Sequence, residues 1–534
     1  MKHKSQLVQT PFRSRAHAAW FRLCAVCLSM YIGYAVYLAH SHIFETPLAT
    51  AISLLGYAAV CLGVYGLLDI ICKRAPAPVG HAKLGRMEWR LFAICFVMAL
   101  GIFGCTFAAC YPGGVNYDVS NQWRQVHSGE YNNWHPLFHT LMMWLLTRFV
   151  DSYSFMVLVQ IVAFAALLSY LTATVHRCGV PWWLALIVHT LVAASLPVRN
   201  TLMYFGKDSA MTMGILGLTI QAVRILYTRG EWLKKPLHAV VMGLTLAYTT
   251  LLRVNALFFT VPFVLCILLT YRAFWKKTAV SVLAMALALA VVQGPVFGLL
   301  DVVYPKNTVE ESIGLPMTVL CDIRKMDPQA LDTETRLFLN KLAPSKVWQE
   351  GYVMHNYNSI KFTFPRELIA EHSAGEILGM AARAAGNAPR TAFAAFNGLT
   401  DLVWGVTGRG EGYQKIGNSG DIESARYPSA TLNALGKAVC RIWEVPMEWG
   451  VLAWLTENIG VQLALLLIVT LWALYRHGVE ALLMALPTLL YDLGTMLLLA
   501  SNDARFFQFS MTIALPCMLA LLFLPRAKEE EACN

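Results

Sequence analysis

Residues 91–110, LFAICFVMALGIFGCTFAAC, run without a single charge into residues 111–139, YPGGVNYDVSNQWRQVHSGEYNNWHPLFH. As a helix, the first stretch is long enough to cross about 30 Å of hydrocarbon. The second stretch is polar and aromatic, and it carries the carboxylate of Asp118. The pair therefore predicts a membrane-spanning helix that leaves the membrane at a loop with functional chemistry.

The rest of the chain has the same apolar character. Of 534 residues, 57% are hydrophobic and 14% are charged, and the mean hydropathy is +0.52. An average soluble domain has about 25% charged residues. The composition predicts an all-α polytopic membrane protein. The basic residues 1–17 lead into a full-length apolar run without a small-residue cleavage site, which predicts an anchor and not a removed signal peptide.

About twelve membrane-spanning helices are expected, and they are placed at 20–40, 47–68, 91–110, 154–175, 180–197, 209–225, 236–252, 255–271, 278–300, 460–475, 480–500 and 509–524. Residues 137–150 would form a helix of only about 21 Å, typical of an interfacial segment. If this segment does not span, the basic loops all lie on the same side as the N-terminus, as the positive-inside rule expects. If it does span, the basic loops at 229–235 and 271–277 are exported. Both termini are therefore predicted to be cytoplasmic.

Four parts follow from this layout. They are 1–90 with the N-terminus and two extra spans, 91–300 with a core module and a catalytic outer loop at 111–153, a helical extracytoplasmic region at 301–450, and 451–534 with the last spans and a short tail. A single helix over 236–271 would be about 54 Å long, too long for a bilayer. A turn is therefore predicted at Arg253-Val-Asn255. Residues 375–406 are predicted to be helical and amphipathic.

The net charge of +10 does not indicate a nucleic-acid partner, because Lys and Arg lie mainly in the short loops between apolar runs. The 13 cysteines lie mostly within predicted spans, where they act as small hydrophobic side chains. Cys321 and Cys440 fall in the predicted extracytoplasmic region. Their spacing leaves open whether they form a disulfide.

Polar residues collect in the predicted outer loops. The basic ones are Arg124, Arg148, Arg199, Lys207, Arg253 and Arg505, and the acidic ones include Asp118, Glu130, Asp208 and Asp503. A carboxylate takes a proton from a hydroxyl or holds a divalent cation, and cations stabilise phosphate charge. Such a site suits chemistry on an anionic, lipid-linked substrate. The alternative is that these charges are only solvated loop residues beside a membrane.

Other residues have a structural and a functional interpretation. His135 and His139 would share a helix face and, with Asp118, are a possible site for a divalent cation, although a structural pair is the simpler interpretation. Asp492 lies inside a predicted span, where an acid is by default functional, but it also suits a hydrogen bond to a neighbouring helix. The aromatic side chains Trp123 and Trp134 fit either an interfacial belt or sugar stacking.

The order of these features resembles the GT-C superfamily of membrane glycosyltransferases. The pattern is most similar to the protein O-mannosyltransferases, the lipid A aminoarabinose transferase and a related bacterial branch. Members resemble this chain in having an outer-loop Asp (here Tyr117-Asp118), a Gly (Gly129) and an HPPL-like motif on a juxtamembrane helix (His135-Pro136-Leu137). The chain departs from the mannosyltransferase pattern, with Asp118-Val119 in place of Asp-Glu and HPLF in place of HPPL. Three further similarities follow along the chain: Phe205-Gly206-Lys207-Asp208-Ser209, Leu252-Arg253-Val254-Asn255 and Asp503-Ala504-Arg505-Phe506.

The resemblance implies transfer of a sugar from a polyprenyl-phosphate donor to an acceptor hydroxyl on a glycan, glycolipid or protein at the outer face of the membrane. The dense positive-inside pattern suits a bacterial plasma membrane, with the endoplasmic reticulum as the alternative. Asp118 would be the general base of an inverting reaction, and Asp208 would assist it. Donor phosphate would bind to Lys207, Arg253, Arg505 and Arg199. Substrate-binding candidates are Tyr117, Asn121, Gln122, Trp134, His135 and Asp492.

A secondary transporter or lipid flippase is the rival hypothesis, since twelve spans with both ends inside also describe a major transporter superfamily. Those proteins have two similar halves and place polar sites near the middle of the membrane. This sequence has its one large loop on the predicted outer face, and its polar residues group there. The pattern favours the transferase.

Overall fold

The protein is described by a computed structural model covering residues 15–78, 84–305, 308–407 and 434–525. Within these ranges the chain forms helices and isolated β-bridges but no strand. The first five helices are α1 (Arg15–Val36), α2 (Pro47–Arg74), α3 (Trp89–Ala109), α4 (Tyr117–Ser128) and α5 (Leu137–Thr147).

Helix α4 is the structured part of the polar stretch that follows α3. The Asn116 side chain accepts a hydrogen bond from the Val119 N–H and so caps the start of the helix. Gly129 ends it with φ of 75°, a left-handed conformation that favours glycine. These two boundaries place Asp118 in the first turn of α4.

The next helices are α6 (Tyr153–His176), α7 (Trp182–Ala194), α8 (Leu196–Leu202), α9 (Lys207–Tyr227), α10 (Pro236–Leu252), α11 (Leu257–Thr270), α12 (Trp275–Val291) and α13 (Phe297–Leu299). The predicted break between 252 and 255 is confirmed, because Arg253 is extended and a 3-10 turn covers Val254–Ala256. The span predicted at 180–197 is bent by 58° between α7 and α8. Pro197, in the first turn of α8, lacks the N–H that a continuous helix would use.

The 301–450 region contains α14 (Val309–Ser312), α15 (Gly314–Met326), α16 (Thr333–Leu342), α17 (Asn358–Lys361), α18 (Arg366–Ala370), α19 (Ala374–Asn387), α20 (Pro389–Trp404) and α21 (Ala434–Met447). The helical stretch predicted at 375–406 is two helices, since Pro389 disfavours helical geometry at Ala388. Cys321 is buried. The Cys440 side chain lies outside the described residues, so the pairing of these two cysteines, which the sequence left open, is not tested.

The chain closes with α22 (Gly450–Glu457), α23 (Ile459–Arg476), α24 (Leu486–Met496) and α25 (Gln508–Leu522). The predicted span at 480–500 is not one continuous helix. Residues Val479–Met484 form a 3-10 helix, and Pro487 stands in the first turn of the 11-residue α24.

Among the described residues, eight helices are long and apolar enough to cross a membrane, or nine if the bent pair of α7 and α8 counts as one span. Helix α5, helix α10 and the segment Val254–Thr270 are apolar but shorter. The chain is therefore a multi-pass helical membrane protein. Twelve spans were predicted from the sequence, which is more than the eight or nine helices that meet this criterion.

Two groups of buried apolar side chains stabilise the fold. The larger one lies inside the bundle and is formed by α3, α6, α9, α23 and α25 together with their neighbours. The smaller one lies within the 301–450 region and extends from Ile313 to Ala392. The 301–450 region thus has a hydrophobic core of its own. It contacts the bundle where the Asn358 N–H donates to the Ala500 carbonyl (3.0 Å) and Asn502 donates to Asp401 (3.1 Å).

Candidate functional site

Two loops at one end of the bundle are joined through Gly114. Its N–H donates to the Met203 carbonyl at 3.0 Å, and its own carbonyl accepts from the Tyr153 hydroxyl. That hydroxyl also accepts a hydrogen bond from the Phe205 N–H (3.1 Å). A Cβ on Gly114 would lie 2.5 Å from the Tyr204 ring, so the close approach requires glycine. This junction holds the loop before α4 against the loop before α9.

The Asp118 carboxylate lies at the centre of the charged cluster that results. Its Oδ2 is 3.0 Å from Lys207 Nζ and 3.5 Å from Arg505 Nη1, and its Oδ1 is 3.8 Å from His135 Nε2. The four residues come from α4, the loop before α5, the start of α9 and the 3-10 turn before α25. The structure therefore brings together four of the residues that the sequence singled out.

Two opposing effects act on the pKa of Asp118. Burial by itself raises the pKa, but the positive charges of Lys207 and Arg505 outweigh it and hold the pKa well below its usual range. The side chain keeps about a quarter of its surface exposed. In this state Asp118 is a fully ionised but weakly basic carboxylate.

His135 bridges Lys207 and Asp118. An ammonium group can only donate hydrogen bonds, so Lys207 Nζ donates to His135 Nδ1 over 3.1 Å. The hydrogen-bond pattern then assigns the proton of the neutral imidazole to Nε2, which faces Asp118. Burial, followed by the charge of Lys207, lowers the pKa of His135 to about 4. His135 is thus neutral at physiological pH.

A second ion pair lies beside the first. Arg253 pairs with Asp208, and both side chains are largely buried. The Arg253 guanidinium also lies over the Phe506 ring at 4.3 Å, and Arg505 lies 5.1 Å from the same ring. Arg505 forms an ion pair with Asp503 at 2.8 Å. Both guanidinium groups therefore lie near the Phe506 ring, and each has a carboxylate partner.

A cavity of about 530 Å³ opens in front of Asp118. It has a size usual for a ligand site. Its lining includes the predicted residues Tyr117, Asp118, Asn121, Trp134 and His135, together with Ser120, Arg124, Asn132, Val303, Pro305, Phe362 and Arg366. Most of the predicted substrate-binding residues thus line one space.

Gln122 and His139 are not among the residues that line the cavity. His139 Nδ1 donates to Gln122 Oε1 (3.0 Å), and Gln122 Nε2 donates to Thr140 (3.1 Å). Both side chains are buried. In the described part of the chain, no three His, Cys, Asp or Glu side chains are grouped so that they could hold a metal ion. The divalent cation suggested for Asp118, His135 and His139 stays a prediction.

Two further candidates lie away from the cavity. Arg199 is fully buried in α8. Asp492 is fully buried in α24 and accepts a hydrogen bond from Ser510 over 2.8 Å. Neither residue is among those that line the cavity. The structure therefore groups them with the helix packing of the bundle.

Phe362 and Arg366 also line the cavity, although no sequence pattern predicted it. Arg366 lies over the Trp134 ring at 4.7 Å and pairs with Glu310 at 3.3 Å. More than 200 residues separate Trp134 from Arg366, so no spacing rule connects them. The sequence offers one weak signal for a functional role of this region, because residues 309–366 are more polar than most of the chain.

The chain was compared with protein families, with curated proteins and with solved structures. None of the three comparisons finds a match. The geometry of the site and the sequence pattern are therefore the basis for a functional assignment.

Proposed function

We propose that this protein is a GT-C type membrane glycosyltransferase that moves a sugar from a polyprenyl-phosphate donor to an acceptor hydroxyl. The observation that carries the proposal is the position of Asp118. This carboxylate lines a ligand-sized cavity and also contacts Lys207 and Arg505. Asp118, as the proposed base, is thus next to both a pair of cations that can bind an anion and a space that can hold a substrate.

The chemistry is a displacement at the anomeric carbon. The acceptor oxygen loses its proton to Asp118 and forms a bond to the anomeric carbon, while the bond from that carbon to the donor phosphate breaks. Polyprenyl phosphate leaves with the bonding electrons. Lys207 and Arg505 stabilise the negative charge that develops on the phosphate, and Arg253 contributes a further positive charge. Attack opposite the leaving group inverts the anomeric centre.

The low basicity of Asp118 is part of this proposal. Lys207 and Arg505 bind the carboxylate when no phosphate is present. A donor phosphate competes for the same two cations. Each cation that binds the phosphate stabilises the Asp118 carboxylate less, so the pKa of Asp118 rises. Donor binding therefore raises the basicity of Asp118 before the acceptor is deprotonated.

The proposed topology has twelve spans, with α5 at the interface and α10 and α11 crossing as a hairpin. Both termini are cytoplasmic, and the cluster at Asp118 faces the extracytoplasmic side of a bacterial plasma membrane. The sequence supports this through its basic loops, which then share one side. The 301–450 region covers the site and takes part in acceptor binding.

The test uses the full chain purified into lipid nanodiscs and a panel of radiolabelled polyprenyl-phosphate sugars with a crude envelope-glycan acceptor. Release of polyprenyl phosphate that depends on acceptor is expected, with loss of at least about 10³-fold in Asp118→Asn. Asp151→Asn is the matched control, since Asp151 pairs with His127 at 3.0 Å and not with this cluster. Equal rates in wild type and Asp118→Asn would remove Asp118 as the base.

A transporter is the second candidate, and Asp492 is the observation that favours it. This acid is fully buried in a predicted span, and one of its oxygens has no hydrogen-bond partner among the described residues. Uptake or flipping that is lost in Asp492→Asn and kept in Asp118→Asn would support transport.

A further inference from the structure

We propose that the cavity in front of Asp118 is a binding site for a carbohydrate that carries a negative charge, either a carboxylate or a phosphate. The inference rests on the proposed function for the role of this ligand as acceptor. The binding itself is argued from the side chains that line the cavity and is tested without turnover.

The cavity is lined for a sugar ring. Tyr117, Trp134 and Phe362 supply aromatic surface, and Asn121 and Asn132 supply amide groups. Aromatic faces pack on the C–H surface of a sugar, while amides form hydrogen bonds with its hydroxyl groups. Tyr117 and Phe362 are among the exposed large hydrophobic residues of the structure, at 75% and 71% exposure. Such exposure, beside amides and charges, is typical of a surface that is covered when a ligand binds.

The charges of the lining are unequal. Asp118 is its one acidic residue, and Lys207 and Arg505 neutralise that carboxylate. Two guanidinium groups, Arg124 and Arg366, remain; Arg366 is paired with Glu310, which lies outside the lining, whereas no described residue forms an ion pair with Arg124. The lining therefore favours an anion over a neutral or cationic ligand.

The two arginines differ in how they are held. Arg366 is oriented by the Trp134 ring at 4.7 Å and by Glu310 at 3.3 Å. Arg124 is exposed on α4, and no described residue forms an ion pair with it. A planar guanidinium suits both carboxylate and phosphate, since it donates two parallel hydrogen bonds. One arginine is thus pre-oriented and the other is available for a ligand.

The two arginines also come from different parts of the fold. Arg124 lies on α4 beside Asp118, and Arg366 begins α18 in the 301–450 region. The two parts meet where the Val303 N–H donates to the Tyr131 carbonyl and the Asn133 N–H donates to the Val303 carbonyl, each over 3.0 Å. An anion between the arginines would therefore be held by both parts at once.

The experiment measures binding to the full chain in nanodiscs by ligand-observed NMR, with no donor present. The probes are methyl glucuronide, glucose 6-phosphate and the neutral methyl glucoside. We expect at least one anionic probe to bind about tenfold more tightly than the neutral one, since one charge-assisted hydrogen bond is worth about that factor. The preferred anion then distinguishes a carboxylate source from a phosphate source.

The variants locate the site. Arg124→Gln and Arg366→Gln should each abolish the preference for the anion. Arg148→Gln is the matched control, because Arg148 lies over the Trp144 ring at 5.0 Å but outside the cavity. Equal binding of neutral and anionic probes, or no binding of any probe, overturns the proposal. A preference that survives both variants overturns it too. Because this binding assay contains no donor, its outcome is independent of the transfer assay with Asp118→Asn, which tests the proposed function.

Discussion

Lys207 Nζ lies 3.0 Å from Asp118 Oδ2, so the proposed base and one of the proposed phosphate-binding residues neutralise each other. The carboxylate occupies the position in which a phosphate oxygen is expected during turnover. This contact links two functions that the sequence had assigned to separate residues, and it has a direct consequence for binding.

Removing the Asp118 charge should tighten the binding of anions. Asp118→Asn leaves Lys207 and Arg505 without their shared carboxylate, so inorganic pyrophosphate should bind about tenfold more tightly than to wild type. Calorimetric titration of the protein in nanodiscs measures this affinity.

Asp151→Asn is the control for this titration, because it removes one negative charge outside the cluster. Pyrophosphate affinity that is unchanged or weaker in Asp118→Asn would show that the anion does not compete with the carboxylate.

The His135 imidazole should make the protein less stable as the pH falls. Its pKa is about 4 in the folded protein, below the value of about 6.5 in an unfolded chain. Between these values the unfolded chain binds the proton, so stability decreases from pH 6.5 towards pH 4, by at most about 3 kcal/mol. Unfolding of wild type and His135→Gln between pH 7 and pH 4.5 should give a shallower dependence in the variant. Parallel curves would contradict the assignment.

Breaking the ion pair of Arg253 and Asp208 should cost more folding free energy than breaking a surface pair. Because both side chains are largely buried, Arg253→Ala leaves an uncompensated carboxylate and should cost about 3–5 kcal/mol. Adding Asp208→Asn should recover a large part of that loss. Unfolding of the two single variants and the double variant measures the coupling, and additive losses would show that the pair is not coupled.

Gly114→Ala should disturb the junction between the Asp118 loop and the Lys207 loop. The new Cβ would lie 2.5 Å from the Tyr204 ring, and such overpacking costs about 1–3 kcal/mol. Transfer activity should fall together with thermal stability.

Gly104→Ala is the matched control for this substitution. Gly104 lies in α3 with no atom within 4 Å of its added Cβ, so alanine should be neutral or stabilising there. A Gly114 variant as stable and active as the Gly104 variant would show that the close approach is not needed.

The sequence was sufficient to predict the all-helical membrane fold, because long apolar runs have few alternatives in a bilayer. It also predicted the break at Arg253 and the meeting of Asp118 with Lys207 and Arg505, since these residues share one predicted side of the membrane. It did not predict the division of 480–500 at Pro487, because hydropathy does not distinguish one long helix from a 3-10 turn and a short one. Helix α4 was not predicted either, because its polar composition resembles that of a loop.

The positions of Arg199 and Asp492 were beyond sequence reasoning for a different reason. Both are charged residues near apolar runs, and only three-dimensional packing decides whether such a side chain faces a cavity or a neighbouring helix. Arg366 reaches the cavity through the tertiary fold of the 301–450 region, which has its own hydrophobic core. Long-range contacts of this kind leave no periodic pattern.

The contact between Asp118 and Arg505 joins residues that are 387 positions apart. As the chain leaves the ribosome, Asp118 and Lys207 are made early, but their third partner is made only with the segment that leads into α25. The charged cluster is therefore incomplete until the segment that leads into α25 has been synthesised. A chain released before that point has the early helices and the carboxylate but lacks Arg505, so the order of synthesis makes this cluster one of the last parts of the fold to form.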